Sequence, residues 1–439
     1  MRRVTLFQTF LYGLPGLPLA AASIPLVIYL PTYYARELAI DLTLLGQLLL
    51  LARLWDVVSD PVIGLLTDHT RSRFGRRRPW LVAGTPVVLL GLWHLFVPSA
   101  GTGPGGLFLW AIVLYMGWTM VTLPHQSWGA ELSSDYNTRT RISGFREGAQ
   151  IAGIVLACAL PLVTQQGIES LSGSALRGLA WFVVIALPVT VLLAIAFIPD
   201  PPETTVQKVD WREGWRALRD NKPFRRLLLA YLINGVANGL PATLFLLFVG
   251  EVLLIPERTP ILLLVYFMSG VVAVPAWVAL SARIGKHRAW SGSMLWNCLI
   301  FLAVPFLGPG DFWPYMLVCV LSGLSLGADL ALPAAMQADV VDVDRAATGA
   351  QRTGLYFALW AMGTKLALAL AVGIAFPALG AMGFVAQSGG NTPQVLFALS
   401  AFYGLVPIAF KLLATALVWN FPLDAGAQAE LRRKVETAA

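Results

Sequence analysis

Long apolar runs separated by short polar stretches dominate the chain. A helix that crosses a bilayer needs about 20 predominantly apolar residues, and twelve segments of the sequence are long enough. The longest polar interruption, Pro199 to Arg225, follows the sixth segment and divides the series into two sets of six. The pattern predicts an all-α polytopic membrane protein with 12 transmembrane helices. The expected segments are 11–35, 40–67, 80–98, 107–130, 146–166, 178–198, 226–250, 259–282, 288–308, 313–337, 354–378 and 395–420.

The same interruption sets the expected domain boundaries. We expect an N-terminal six-helix bundle over 1–198, a central loop over 199–225, a C-terminal six-helix bundle over 226–425 and a tail over 426–439. The motif "RFGRRRPW" follows the second segment, and a similar motif, "RIGKHRAW", follows the eighth. Parallel internal repeats are a feature of transporters. The repeated motif therefore favours a transporter built from two related halves.

Composition supports a membrane protein. The chain is 57% hydrophobic and 13% charged, against about 25% charged residues in a soluble domain, and its mean hydropathy is +0.70. The N-terminal "LAAAS" resembles a signal-peptide cleavage site, but its apolar run continues to Leu30, which favours an uncleaved first span. The three cysteines, Cys158, Cys298 and Cys319, lie in apolar runs without metal-ligand spacing, so we expect neither disulfides nor a zinc site.

The positive charge is concentrated in one set of loops. The net charge of +7 is compatible with nucleic-acid binding, but 25 of the 31 Lys and Arg residues lie in alternate loops and the two termini, with Arg146 counted among them. Lys and Arg accumulate on the cytoplasmic side of membrane proteins. We therefore expect both termini to face the cytoplasm, in the inner (plasma) membrane of a bacterium, and we expect the lipid bilayer and no nucleic acid as a partner.

Two acids interrupt the second apolar segment, in "WDVVSDPVIG". Asp56 and Asp60 are four residues apart and share one helix face. Adjacent carboxylates repel unless a cation lies between them or one is protonated, and hard cations take oxygen ligands. Pro61 cannot donate a backbone hydrogen bond, which frees another oxygen. The alternative is an ion pair with a basic residue such as Arg53. We expect a sodium or proton site, with neither acid locked onto arginine or lysine.

Other polar residues lie within the later spans. Thr119 and Thr122 are three residues apart, and Gln126 extends their face. Their hydroxyls can complete a cation shell or bind a hydroxylated substrate, or they can bond to the helix backbone. Arg146 opens span five beside Glu147. Its guanidinium can enter a cavity and hold a substrate, or it can snorkel to the membrane interface.

Three charged residues lie within spans of the second half. Asp329 is in span ten and Lys365 in span eleven. A charged side chain in a membrane normally faces the protein interior and has a partner, and Asp329 is a candidate partner for Lys365. Such a pair is either structural or breaks when a cation or substrate arrives. Lys411 lies nearer the end of its span, and we expect it to snorkel.

These residues resemble a known family. The stretch "GLLTDHTRSRFGRRRP" resembles the loop motif of the major facilitator superfamily. The stretches "WDVVSDPVIG", "LPHQSWGAELSSDYNTRTRISGFRE" and "ADVVDVDRAATGAQRTGLYF" resemble the glycoside–pentoside–hexuronide:cation symporters, over nearly the whole chain. The resemblance implies the major facilitator fold, with two six-helix bundles around a central cavity, and alternating access.

The resemblance also assigns roles to residues. By similarity, Asp56, Asp60 and Thr119 match the family's cation site, which would hold Na⁺ in a sodium-coupled protein. Arg146 matches an arginine that contacts sugar, and Lys365 matches a lysine near both sites. We add Thr122, Gln126 and Asp329 to the expected substrate-binding residues, and we assign gating to Asp68, Arg76 and Arg77 of the loop motif.

The chain departs from the family pattern at the sugar site. The family's sugar-binding acid of helix one aligns with Ala20, the aspartate of helix four with Thr122, and a nearby tryptophan with Gln126. The carboxylates that grip sugar hydroxyls are thus missing. Arg146 and Lys365 without those acids would suit an anionic or zwitterionic solute. The family also resembles the animal sodium-dependent lysophospholipid transporters, which gives an alternative substrate class.

We therefore expect a cation-coupled secondary symporter, driven by Na⁺ or H⁺, that moves a sugar or sugar derivative by alternating access. The alternative is a sodium-dependent transporter of a lysophospholipid or another amphipathic or anionic solute. The sequence carries no GxSxG motif, nucleotide loop or metal-ligand spacing, so we do not expect an enzyme or a cofactor other than the coupling cation. A receptor that has lost transport, and a channel, are further alternatives. We expect a monomer.

Overall fold

The computed structural model describes residues 5–70, 72–99, 101–132, 136–163, 174–199, 219, 221–348, 353–385 and 390–423. All regular secondary structure in these ranges is helical. Most of the expected central loop (199–225) and the whole of the expected tail (426–439) lie outside these ranges, and the expected domain boundaries stay predictions. In the following text, the "N-terminal face" is the membrane face on which the first helix begins. The "opposite face" is the other membrane face.

The first half of the chain forms long helices, and its first span is made of several short ones. Thr5 caps that span, because its hydroxyl accepts from the backbone N–H of Gln8 while the Gln8 side chain bonds back to Thr5. The elements are α1 (Leu6–Gly13), α2 (Gly16–Ile24), a π turn (Pro25–Tyr29), α3 (Leu30–Arg36), α4 (Leu42–His69), α5 (Arg78–Phe96), α6 (Pro104–Glu131), α7 (Tyr136–Val163) and α8 (Ser174–Phe197).

The second half repeats this plan, and its first span also contains a π turn. The elements are α9 (Lys222–Leu247), a second π turn (Phe248–Val252), a 3₁₀ turn (Pro256–Arg258), α10 (Thr259–Ile284), α11 (Lys286–Phe301), a 3₁₀ turn (Val304–Phe306), α12 (Phe312–Thr348), α13 (Thr353–Ala381) and α14 (Pro393–Val418). Asn221 caps α9, because its side-chain oxygen accepts from the N–H of Phe224.

Eleven helical segments of the described chain are long and apolar enough to cross a membrane. Helix α7 has 28 residues but is not among them. An integral membrane protein is therefore confirmed, while the number of 12 spans stays a prediction.

The glycine of the repeated motif has the same positive φ in both halves. Gly75 lies between α4 and α5 with φ of 90°, and Gly285 lies between α10 and α11 with φ of 90°. This region of φ is accessible to glycine at little cost and strains other residues. The glycine spacing seen in the sequence therefore marks two equivalent turns.

Among the described residues, the apolar core that the two halves share lies toward the opposite face. The larger cluster of buried side chains includes residues from all depths of the first half, but its second-half members lie toward the opposite face. A separate cluster at the N-terminal face is made of second-half residues, among them Phe224, Trp290 and Tyr356. The structure is thus a conformation closed toward the opposite face.

An ion pair reinforces this closure. Arg36, the last residue of α3, donates from Nη2 to Glu251 Oε1 at 2.5 Å. Glu251 belongs to the π turn after α9 and is 5% exposed. An ideal Cβ placed on the neighbouring Gly250 would lie 3.0 Å from Arg36 Nη2, so glycine leaves the space that the arginine occupies. The pair connects the first span of each half.

Candidate cation and substrate site

Four polar side chains from three helices meet between the halves. Thr119 of α6 lies with its hydroxyl oxygen 3.1 Å from Asp56 Oδ1 and 2.7 Å from Asp60 Oδ1, the two acids of α4. Lys365 of α13 places its ammonium nitrogen 2.9 Å from Asp56 Oδ2 and 2.6 Å from Asp60 Oδ2. The three residues that match the family's cation site are thus brought together, and a lysine of the second half joins them.

The cluster has more acceptors than protons. A threonine hydroxyl carries one proton, and the nearer acceptor of Thr119 is Asp60 Oδ1, so Asp56 Oδ1 faces a lone pair at 3.1 Å. Two ionised acids and one ammonium also leave a net charge of −1. Oxygen atoms held this close repel unless further positive charge lies beside them. The cluster therefore has the charge and the oxygen ligands to bind one more monovalent cation or proton.

The pairing of Lys365 corrects two expectations. Lys365 does not pair with its candidate partner Asp329; it bridges both acids of α4. The expectation that neither acid is locked onto a basic residue is also wrong, although the partner is not Arg53. The guanidinium of Arg53 stacks over the ring of Tyr115, at 4.7 Å from the ring centroid.

Close packing of α4 against α13 explains why Lys365 reaches the acids. An ideal Cβ on Gly46 of α4 would lie 2.8 Å from Pro377 Cδ, and one on Gly373 of α13 would lie 2.8 Å from Leu50 Cδ2. Glycine at both positions lets the two helices approach. Lys365 lies two turns before Gly373 on α13, and its side chain is 22% exposed, against 4% for Asp56 and 9% for Asp60. The lysine is therefore the member of the cluster that reaches solvent.

Asp329 lies in a second polar cluster, formed by helices of the second half. Its carboxylate accepts hydrogen bonds from Asn234 and Asn238 of α9, each at 2.9 Å, and from the indole N–H of Trp290 of α11 at 2.7 Å. Lys411 of α14 lies 3.9 Å from Asp329 and donates to both asparagine oxygens, at 3.0 and 2.7 Å. With 3% of its side chain exposed, Lys411 does not snorkel, contrary to expectation.

The remaining expected substrate residues do not join either cluster. Thr122 donates to the carbonyl of Trp118 at 2.9 Å, which is the backbone bond considered as the alternative. Gln126 is exposed. Arg146 donates to Glu147 at 2.7 Å and lies beside the hydroxyl of Tyr12. Their roles in substrate binding stay predictions.

The expected gating residues lie at the N-terminal face. Arg77 is buried and donates to the hydroxyl of Thr67 at 3.2 Å, which connects the loop to the end of α4. Arg76 also has an interaction partner. Asp68 lies on α4, and its side chain is outside the described part of the structure. The gating role stays a prediction.

Sequence reasoning missed the partners of Asp329. Asn234 and Asn238 are four residues apart in an apolar span, which is the same pattern that drew attention to Asp56 and Asp60. Two amides with this spacing in a membrane helix therefore indicate a buried polar site, and the sequence could have been used to find it. Tyr231 on the same helix donates to or accepts from Thr364 at 2.9 Å. Thr364 directly precedes Lys365, so α9 and α13 bring the two polar clusters into one neighbourhood.

The fold and the site together define a secondary membrane transporter of the major facilitator type. The fold resembles the crystal structure of the nucleoside transporter NupG, with a TM-score of 0.66 over 94% of this chain and 98% of that one, at 13% identity. The model of the family described as "MFS/sugar transport protein" matches residues 11–425. The chain belongs to this family and, within it, to the glycoside–pentoside–hexuronide:cation symporters.

Two relatives illustrate the range of the family. The chain is 26% identical to the glucuronide carrier protein homolog of Escherichia coli, over 90% of this chain and 88% of the relative. It is 22% identical to the mouse sodium-dependent lysophosphatidylcholine symporter 1, over 96% of this chain and 86% of the relative. The predicted family and the predicted class, a transporter and not an enzyme, are confirmed.

Proposed function

We propose that the protein is a cation-coupled symporter that moves a small hydroxylated solute, a sugar or sugar derivative, by alternating access. The arrangement of Asp56, Asp60 and Lys365 supports this most directly, because it places a charge-dependent contact between the two halves. A cation that binds to the acids weakens their attraction for Lys365. Binding of the ion is thereby linked to a change in how the halves hold each other.

The mechanism differs from the one expected from the sequence, because the cation must compete with Lys365 for the acid pair. In the conformation closed toward the opposite face, the ammonium of Lys365 provides positive charge to the acid pair. Na⁺ or H⁺ binds at the Oδ1 atoms beside Thr119 and competes with the lysine. The released side chain of Lys365 then turns toward solvent, where it becomes available to a solute. The cation takes the place of the Lys365 ammonium beside the acids, and this exchange couples cation binding to solute binding.

The oxygen-rich site favours sodium over a proton, since two carboxylates and a hydroxyl are hard ligands. Replacing sodium by choline at fixed pH during uptake distinguishes the two ions. We further propose that the protein lies in the inner membrane of a bacterium with both termini in the cytoplasm. The concentration of Lys and Arg in alternate loops supports this orientation.

Uptake by purified protein in liposomes tests the function. We expect Asp56→Asn and Asp60→Asn each to abolish gradient-driven solute uptake, because each removes a charge that the cation must neutralise. Asp41→Asn is the matched control: it makes the same chemical change on the same helix, but Asp41 caps α4 through the N–H of Leu44, and asparagine caps equally well. Normal gradient-driven uptake by both cluster variants would refute the proposal.

The alternative solute is a lysophospholipid, which the similarity to the mouse lysophosphatidylcholine symporter supports. A thermal-shift screen of sugars, sugar acids and lysophosphatidylcholine, with and without sodium, separates the two. Sodium-dependent stabilisation by a sugar and not by the lysolipid is the result we expect. The reverse result would replace the solute and leave the coupling mechanism in place.

A further inference from the structure

The cluster around Asp329 forms a closed hydrogen-bonded ring. Asn234 and Asn238 each donate to the carboxylate and each accept from Lys411, so acid, amide, ammonium and amide alternate around it. Trp290 adds a hydrogen bond to Oδ1 of Asp329. Four helices, α9, α11, α12 and α14, are joined at this point. The ring lies in the second half, apart from the acid pair of α4.

The ring is charge-balanced. Asp329 and Lys411 contribute one negative and one positive charge, whereas the cation site carries a net charge of −1. A buried charge is costly unless it is paired, so an additional charged group entering the ring would leave a charge uncompensated. An uncharged hydroxyl adds no charge. The ring is therefore suited to uncharged polar ligands.

Among the atoms of the ring that retain hydrogen-bonding capacity are Asp329 Oδ2 and the amide nitrogen of Asn238. Asp329 Oδ1 accepts from both Asn234 and Trp290, whereas the hydrogen bond to Oδ2 comes from Asn238. A carboxylate oxygen accepts two hydrogen bonds, and an amide nitrogen has two N–H donors. A ligand hydroxyl can thus donate to Oδ2 and accept from the second N–H of Asn238 while the ring stays intact.

The same two residues are the accessible ones. Asp329 is 12% exposed at its side chain and Asn238 is partly exposed, whereas Lys411 and Asn234 are buried and Trp290 is fully buried. An approaching ligand therefore meets Asp329 and Asn238 first. Lys411 is held behind them by the two asparagines, where it compensates the charge of Asp329.

Three basic residues that could attract an anionic solute lie beside acids in this conformation. Arg146 pairs with Glu147, Lys365 with the two acids of α4, and Lys411 lies beside Asp329. The sequence offered Arg146 and Lys365 to an anionic solute because their partners were not visible. In this conformation the pairing weakens that argument, and hydroxyl recognition is the chemistry available at the ring itself.

We propose that Asp329 and Asn238 form a binding subsite for a hydroxyl group of an uncharged, polyhydroxylated solute, and that Lys411 compensates the charge of Asp329 without touching the solute. The proposal rests on the proposed function, since the solute is the one transported. It narrows the substrate class from sugars and sugar acids to uncharged sugars.

Matched glycosides test the charge preference. p-Nitrophenyl β-glucoside and β-glucuronide differ at C6, where one carries a hydroxymethyl group and the other a carboxylate; the corresponding galactoside and xyloside complete the panel. We expect an uncharged glycoside to bind protein in lipid nanodiscs, in sodium chloride, at least tenfold more tightly than the glucuronide. Equal or tighter binding of the glucuronide, or no binding by any uncharged glycoside, overturns the proposal.

Variants of the ring locate the contact. We expect Asn238→Ala to weaken binding of the best glycoside about tenfold, because a bond to a charged network is lost. Asn297→Ala is the matched control: it makes the same chemical change on α11, but the Asn297 amide donates to Ser325 and not to the ring, so affinity should stay within about threefold. Asp329→Asn alone would leave Lys411 uncompensated. The charge-neutral double variant Asp329→Asn with Lys411→Met is therefore used, and it should also weaken binding. Equal effects of Asn238→Ala and Asn297→Ala would contradict the subsite.

Uptake in liposomes separates this inference from the proposed function. If Asn238-dependent binding holds but no sodium or proton gradient drives uptake, the subsite stands and symport fails. If a gradient drives uptake of the glucuronide or of lysophosphatidylcholine, and Asn238→Ala leaves that uptake unchanged, symport stands and the subsite fails.

Discussion

Lys365 holds two carboxylates of the other half with one ammonium group, and in the proposed mechanism it competes with the coupling cation. Its nitrogen lies 2.9 Å from Asp56 and 2.6 Å from Asp60. Charge-assisted bonds of this kind are about twice as strong as neutral ones. The proposed mechanism therefore predicts that the apparent affinity for the cation includes the cost of displacing the lysine. Removing the ammonium should remove that cost.

We expect Lys365→Met to tighten sodium binding at least tenfold, about 1.4 kcal/mol, and to abolish gradient-driven uptake, since the acids then hold the ion without exchange. Sodium-dependent thermal stabilisation measures the affinity. Lys286→Met is the control, because Lys286 pairs with the single acid Asp339 at 2.6 Å, outside the cluster, and sodium affinity should not change. Weaker sodium binding in Lys365→Met would mean that the lysine assists the cation.

The residue types of the site could be predicted from the sequence, but their pairing could not. Spacing along one helix shows that Asp56 and Asp60 share a face, and the resemblance adds Thr119. The partner of a buried lysine depends on which helices touch, and that is set by close approach at Gly46 and Gly373. Lys365 and Lys411 were consequently assigned the wrong surroundings, although both were recognised as charged residues within spans.

The first spans of both halves deviate from a regular helix where they approach the opposite face. Each contains a π turn, Pro25–Tyr29 in one and Phe248–Val252 in the other. π turns are rare and often occur at functional sites. The second one presents Glu251 to Arg36, so an irregular segment supplies the ion pair that joins the halves. Apolar periodicity predicts the span but cannot indicate a single widened turn within it.

We expect Glu251→Gln to favour the conformation open at the opposite face, because breaking a buried ion pair leaves the arginine uncompensated. Spin labels at the exposed residues Ser99 and Phe306 report the distance between the halves at that face. The population with the longer distance should increase. Glu257→Gln is the control, since Glu257 pairs with Arg258 at 4.0 Å on the surface, where such pairs contribute little. An unchanged distance distribution in Glu251→Gln would show that apolar packing alone keeps this face closed.

The twofold plan of the molecule was visible in the sequence through one motif. Gly75 and Gly285 mark equivalent turns because both require a positive φ, and such a requirement survives in sequence when most side chains differ. The state of the transporter was not visible, since either state satisfies the same apolar pattern. The shared apolar core toward the opposite face distinguishes them. The two polar clusters differ in net charge, and this difference determines how the transport cycle responds to the membrane potential.

That difference predicts an electrogenic cycle. The cation site carries −1 without its ion and 0 with one bound, and the ring around Asp329 is neutral throughout. An uncharged solute then leaves the loaded carrier neutral, and the return of the carrier without its ion moves one negative charge. One elementary charge crosses per cycle, worth about 2.3 kcal/mol per 100 mV, or roughly a 50-fold change in the accumulation ratio.

In liposomes with a potassium diffusion potential set by valinomycin, an interior negative potential should accelerate uptake of the best uncharged glycoside severalfold and raise its final level. Uptake of the uncharged glycoside that does not respond to the potential would contradict the charge assignment of the cation site.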